Sequence, residues 1–258
     1  MKTLGFIGGG RITRIILNGF KNAGVSFGKI SVYETNETVL NTLKNEFPQI
    51  GTSVADPSTA AAADWVFIAL HPPVLMETLN SIRNSVRKDA LVISLAPKIT
   101  IEKIRSVLTA VPGIGRMNPN AGSYVRKGFN PVCFVQETDK NAVKEFIEIF
   151  DKIGKTPVVP ENQIEAYAVI SAMGHTYFWY QFQQMRELGR SYGLTEAEAD
   201  EAVSSMITGT SETLFNSGLS FEKVVDLVPV KPMAEHENTI REFYKASLDG
   251  IYQKIKPV

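Results

Sequence analysis

Apolar residues along the chain follow two regimes that meet near Pro160. Through residue 159, short apolar runs alternate with stretches of helical periodicity. The runs at 3–8, 29–34, 64–70 and 90–95 predict strands, with further strands near 113–118, 131–135 and 156–159. Trp65-Val66-Phe67-Ile68-Ala69-Leu70 is apolar at every position, as a parallel strand covered on both faces must be. Strands separated by helices require right-handed crossovers, so the pattern predicts a doubly wound α/β domain over residues 1–159. From Asn162 onward no strand pattern recurs, and three to five helices are expected in an all-α domain over 160–258. Residues 166–185 carry Tyr167, Ile170, Met173, Tyr177, Phe178, Trp179, Tyr180 and Phe182 all round one helix, which predicts burial on every side. A domain of ~100 residues has a small core, so a second copy of the chain is expected to cover part of that helix. Gly193 is the expected stop, and Thr195 the N-cap of the next helix.

The first strand runs straight into clustered glycines, Leu4-Gly-Phe-Ile-Gly-Gly-Gly10, and an amphipathic helix follows through Ile12, Ile15, Ile16, Gly19 and Phe20. This strand–turn–helix order is that of a Rossmann-type dinucleotide-binding unit. Gly8 permits the tight turn and Gly10 lets a pyrophosphate approach the backbone. Arg11 and Ile12 open the helix whose free N–H groups face the phosphates. Thr13 stands where a third Gly or Ala is usual. The second strand ends at Glu34, roughly 20 residues past the glycines, where a carboxylate accepts hydrogen bonds from ribose hydroxyls. Such a group repels a 2′-phosphate and favours NAD over NADP, whereas Arg11 can either reach a 2′-phosphate or neutralise the pyrophosphate. Loops beyond the carboxyl ends of strands form the binding crevice, which brings Ala69, Leu70, His71 and Pro72 to the cofactor. The same rim holds Ser94-Leu95-Ala96-Pro97-Lys98, with Ala96 as a cofactor contact, and the loop of Asn118, Pro119 and Asn120.

Charge narrows the classes of partner. There are 27 Lys and Arg against 27 Asp and Glu, so no global field favours nucleic acid or an anionic membrane. No apolar run reaches the ~18–20 residues of a membrane span, and no signal peptide is recognised before the first strand. The single cysteine, Cys133, lies in the apolar run Pro-Val-Cys-Phe-Val and is expected to be inert. His71, His175 and His236 have no metal-ligand spacing. These features predict a cytoplasmic, metal-free protein.

Taken in order, the motifs resemble those of the pyrroline-5-carboxylate reductase family almost end to end. Gly5-Phe6-Ile7-Gly8-Gly9-Gly10 resembles the opening G-F-I-G-A-G. Phe67-Ile68-Ala69-Leu70-His71-Pro72 resembles a strand ending A-V-K-P, with His71 in place of lysine. Val92-Ile93-Ser94-Leu95-Ala96 followed by Ile99-Thr100-Ile101 resembles V-I-S-x-A-A-G-I-T-I, and Arg116–Asn120 resembles R-x-M-P-N. Ser171-Ala172-Met173-Gly174-His175-Thr176-Tyr177 takes the place of S-G-S-G-P-A-Y. The resemblance implies a Rossmann domain followed by a helical dimerisation domain, an active site completed across a homodimer or larger homo-oligomer, and NAD(P)-dependent reduction of pyrroline-5-carboxylate to proline. It also implies that Ser171, Gly174, Thr176 and Asn120 lie at the substrate.

Departures gather at the substrate end. The family's T-S-P-G-G-T-T loop, which binds the substrate carboxylate, is replaced by Pro229-Val-Lys-Pro-Met-Ala-Glu235. Pro229 and Pro232 have no N–H to donate. Lys231 remains as a point charge for a carboxylate, or as a solvated loop residue. His175 replaces a proline; it either protonates an imine or carbonyl, for which an intrinsic pKa of ~6.5 is suited, or hydrogen-bonds within a helix junction. A reductase of another imine or keto acid is therefore an alternative, as is a non-catalytic nucleotide-binding sensor. A hydroxyacid dehydrogenase needs a lysine on the long helix, and 166–185 contains none.

Overall fold

The apolar runs of the first half assemble into one sheet. The computed structural model describes residues 1–257. Its strands are β1 (Thr3–Ile7), β2 (Lys29–Tyr33), β3 (Gly51–Ser53), β4 (Trp65–Ile68), β5 (Leu91–Ser94), β6 (Gly113–Met117), β7 (Gly128–Phe129), β8 (Val132–Phe134) and β9 (Gly154–Lys155). The main sheet has the order β3-β2-β1-β4-β5-β6-β8, parallel except for β8 against β6, and β7 pairs with β9 separately. Strand order reverses between β1 and β4, the switch point at which such sheets bind ligands. Helices α1 (Arg11–Asn22), α2 (Glu37–Glu46), α3 (Ser58–Ala61), α4 (Pro72–Ile82), α5 (Ile101–Arg105) and α6 (Lys140–Phe150) make the connections.

Period-two alternation explains why both faces are covered. Leu4, Phe6, Trp65, Phe67 and Ile93 pack with Ile16, Leu17, Phe20, Phe146 and Phe150 on one face. Ile7, Val66, Ile68, Val92 and Ile114 pack with Leu75, Leu79, Ile82 and Ile104 on the other.

Contacts divide the chain into two compact units, Met1–Met173 with the residues from Ile251 onward, and Gly174–Gly250. The first unit therefore keeps α7 (Ile164–Tyr167), beyond the composition change at Pro160. The second is helical, with α8 (His175–Ser191), α9 (Glu196–Asn216), α10 (Phe221–Asp226) and the start of α11 (Glu237–Ile255). Gly193, at φ 101°, follows the end of α8, and Thr195 caps α9 in a reciprocal box with Glu198.

Three sequence expectations need correction. The strand expected at 156–159 is displaced to Gly154–Lys155, leaving Val158 a single bridge to Val132; Pro157 and Pro160 withhold ladder donors there. The continuous helix expected over 166–185 is interrupted by a π-helical turn, Ala168–Ala172, before α8 begins. Nor is α8 buried on every side. It has no buried residue, and Trp179 and Tyr180 are 54% and 65% exposed, because within its unit α9 and Tyr244 of α11 cover only part of its circumference.

Candidate nucleotide-binding site

The turn after β1 is held from three sides. Gly8 N–H donates to Tyr33 O (2.8 Å), joining the turn to β2, and Ala69 N–H donates to Ile7 O (2.8 Å), joining β1 to the rim of β4. Gly8 has φ 108°, and a Cβ there would lie 2.4 Å from Ala69 O, so both conformation and space demand glycine. Thr13, fully buried, donates its hydroxyl to Gly8 O (2.6 Å). The residue that departs from the glycine pattern thus ties the helix back to the turn.

Gly10 differs from Gly8. It is the N-cap of α1 with φ −71°, open to any residue, and a Cβ there would meet nothing within 4 Å. Glycine leaves clear space directly before a 12-residue helix that has no side-chain cap and no acidic residue in its first turn. Such an N-terminus, with unfilled donors and the positive end of the helix dipole, suits an anion. Arg11 adds an exposed cation at the first helical position, and Ile12 is half-buried beside it.

Glu34 borders this space. Its carboxylate accepts Gly9 N–H at Oε2 (2.9 Å) and Asn36 N–H at Oε1 (2.9 Å). These bonds fix its position after β2 and leave lone pairs free for further donors such as ribose hydroxyls. Across the switch point, Ala69, Leu70 and Pro72 are half-buried and His71 is exposed as the N-cap of α4. On the next strand, Ala96 is buried and its N–H bonds Ser94 Oγ (3.3 Å). The structure brings together on one sheet edge every residue assigned from sequence to the cofactor, and the open cradle over Gly10 fits a dinucleotide pyrophosphate.

The residues assigned to the substrate fall in both units: Asn120 and Ser171 in the first, and Gly174, Thr176 and Lys231 in the second. Asn120 is buried with its amide engaged: Oδ1 accepts Gly122 N–H (3.1 Å) and Nδ2 donates to Phe129 O (2.9 Å), so it holds the turn of residues 121–125. Ser171 donates to Tyr167 O (2.7 Å) within the π-helical turn. Gly174 caps α8, and half-buried His175 opens it with its ring 5.7 Å from that of Trp179. Thr176 is exposed on the first turn of α8. Lys231 is exposed, and its carbonyl accepts Ala234 N–H (3.1 Å).

A buried charge cluster was not foreseen from sequence. Arg116, 1% exposed at the end of β6, bonds Glu165 of α7, 3% exposed, and reaches Glu161 Oε1 at 3.1 Å. The same acids accept Lys98 N–H (3.4 Å) and Ile101 N–H (2.7 Å), and Asn118 Nδ2 bonds Ile164 O. Residues 161–165 are thereby fastened to the carboxyl ends of β5 and β6. Burial, with Glu161 nearby, pushes the Cys133 thiol up to about 12, consistent with an inert side chain. Among the described residues, no group of three His, Cys, Asp or Glu is placed to hold a metal, and no helix is long and apolar enough to cross a membrane.

Comparison with known proteins agrees with this architecture. A family model described as NADP oxidoreductase coenzyme F420-dependent matches residues 3–98, and one described as pyrroline-5-carboxylate reductase dimerisation matches 161–253. The pyrroline-5-carboxylate reductase of Staphylococcus saprophyticus is 26% identical over 221 residues, covering 85% of this chain and 81% of that one. The Escherichia coli K12 enzyme is 26% identical over 218 residues, with 84% and 81% covered. Over most of its length the chain is similar to pyrroline-5-carboxylate reductases. A Coxiella burnetii family structure superposes with TM-score 0.70 at 26% identity, covering 98% of this chain and 94% of that one. The Plasmodium falciparum structure, which has NADP bound, reaches 0.83 at 19% identity with 99% and 97% covered, a likeness of fold. The dimerisation match supports homo-oligomerisation.

Proposed function

We propose that this chain is a dimeric reductase that uses NADH in preference to NADPH to reduce a small cyclic imine carboxylate, pyrroline-5-carboxylate to proline. The observation that carries the reading is the clear space over Gly10, set between an uncapped helix N-terminus and the doubly anchored Glu34. The relatives named pyrroline-5-carboxylate reductase support the substrate. Bound in the crevice, the reduced nicotinamide supplies the hydride. The first-turn N–H groups of α1 hold the pyrophosphate, with Arg11 balancing its charge. Glu34 accepts from the adenosine ribose and repels a 2′-phosphate, which sets the preference for NADH. Residues 69–72 and Ala96 form the rim on the nicotinamide side. His175 delivers the proton to the imine nitrogen, and Ser171, Gly174, Thr176 and Lys231 line the substrate. The aromatic faces of α8, with Phe215 of α9 and Phe243 of α11, 76% and 70% exposed, form the dimer contact. A balanced charge and a reduced, buried thiol fit work in the cytoplasm.

The replaced 229–235 loop favours a second reading, a related imine or keto acid in place of pyrroline-5-carboxylate. Steady-state oxidation of NADH and NADPH with pyrroline-5-carboxylate separates them. The expected result is turnover with a higher kcat/KM for NADH, a preference that Glu34→Ser reduces by about tenfold, or ~1.4 kcal/mol. Cofactor binding without turnover of this imine refutes the substrate assignment, and silence over a panel of imines and keto acids leaves a nucleotide sensor. Equal use of both cofactors refutes the role of Glu34.

A further inference from the structure

Two non-glycine residues have positive φ among those described, Arg126 at 62° and Lys98 at 69°. Arg126 has a local reason, since it ends the short helical turn of residues 121–125 as its left-handed cap. Lys98 ends no helix. It lies between β5 and α5 in the stretch Ala96-Pro-Lys-Ile-Thr100, where the family pattern V-I-S-x-A-A-G-I-T-I has glycine. A side chain here is held against the preference of its own backbone. Its side chain is exposed, and its ammonium makes no hydrogen bond or ion pair among the described residues, so no polar contact within this chain accounts for it.

Position gives the side chain a task. The strand order sets Glu34 on β2, the glycine turn on β1, His71 on β4 and Lys98 beyond β5. At the usual strand spacing Lys98 is about 10 Å across the sheet from the glycine turn, on the side away from Glu34. That is the nicotinamide side of the switch point, past the pyrophosphate, where an anion belongs to the substrate. The backbone of the loop is also tied down. Lys98 N–H and Ile101 N–H are bound by Glu165 and Glu161, which Arg116 holds in turn. Meanwhile the loop with Pro229 and Pro232 lacks backbone donors at two positions.

We infer that Lys98 is the specificity-determining residue for the carboxylate of the substrate, taking over with its ammonium what the family assigns to the rebuilt loop. The inference rests on the imine-carboxylate reading above. The discriminating quantity is kcat/KM for pyrroline-5-carboxylate divided by that for 1-pyrroline, the same ring without the carboxylate, at saturating NADH. Lys98→Met and Lys98→Gly are expected to lower this ratio at least about tenfold through KM, while Lys98→Arg stays within about threefold of the parent. An unchanged ratio in Met and Gly variants overturns the inference. So does a fall in thermal stability of Lys98→Met with the ratio intact, which would make the ammonium a counter-charge to Glu161. If the parent protein reduces neither imine, the function fails separately. Calorimetric binding of proline against pyrrolidine to the NAD-loaded protein then reads the same contrast. Binding of proline that is absent, or indifferent to Lys98→Met, overturns the inference.

Discussion

Gly8 and Gly10 stand two residues apart in one turn, yet replacing each by alanine is expected to produce opposite failures. At Gly8 an added Cβ must adopt φ 108° and would lie 2.4 Å from Ala69 O. The conformation costs about 1–2 kcal/mol for an L residue. Relieving the overlap moves backbone shared by β1 and β4, for about 1–3 kcal/mol more. Gly8→Ala should therefore lose about 2–5 kcal/mol, a fall in Tm of several degrees for a chain of this size. At Gly10 the backbone angle is ordinary and the space is empty. The stability cost there is only the N-cap preference of Gly over Ala, within about 1 kcal/mol. The new methyl occupies the approach of the pyrophosphate, so NADH affinity should fall at least about tenfold, or ~1.4 kcal/mol. Urea denaturation without cofactor measures the first effect, and titration of NADH fluorescence measures the second. A Gly10→Ala protein that binds NADH like the parent refutes the assignment of the cradle. Equal destabilisation by the two variants refutes the separation of roles.

The buried cluster allows a comparison within one site. Glu165→Gln leaves Arg116 buried with only the partly exposed Glu161 as counter-charge, and should cost about 3 kcal/mol in urea denaturation. Glu161→Gln, at a carboxylate 35% exposed, should cost about 1 kcal/mol or less; equal costs would contradict the burial argument. Burial pushes the Cys133 thiol up from its ordinary 9.0 to about 12. Its contribution to stability is then complete below pH 9 and lost as pH rises towards 12. The stability difference between the parent and Cys133→Val should shift against the parent over that interval, and a difference independent of pH would remove the thiol from the account.

Local patterns carried the parts of this molecule that depend on neighbours in sequence. Alternation at Leu4, Phe6 and Ile7 and the all-apolar run of β4 identify parallel strands, because each strand must satisfy two covered faces by itself. The spacing of Gly8 and Gly10 and the later Glu34 likewise define the nucleotide turn, since strand, turn and helix are contiguous. The edge strand β3 escaped notice because it is three residues long with two of them exposed, so burial left no imprint on its composition. Tertiary structure alone decided the rest. Arg116 and Glu165 are 49 residues apart, and neither residue type announces a buried pair; β6 and α7 create it by meeting at one sheet edge. Thr13 reads as a flaw in a glycine pattern until its hydroxyl is seen on Gly8 O. Lys98 reads as an ordinary charged loop residue, because a sequence records its charge and not its φ of 69°. The aromatic ring of residues on α8 is explicit in sequence, but whether its cover comes from the same chain or another is not. Hydrophobicity measures a side chain's need for burial and carries no label for the surface that meets it.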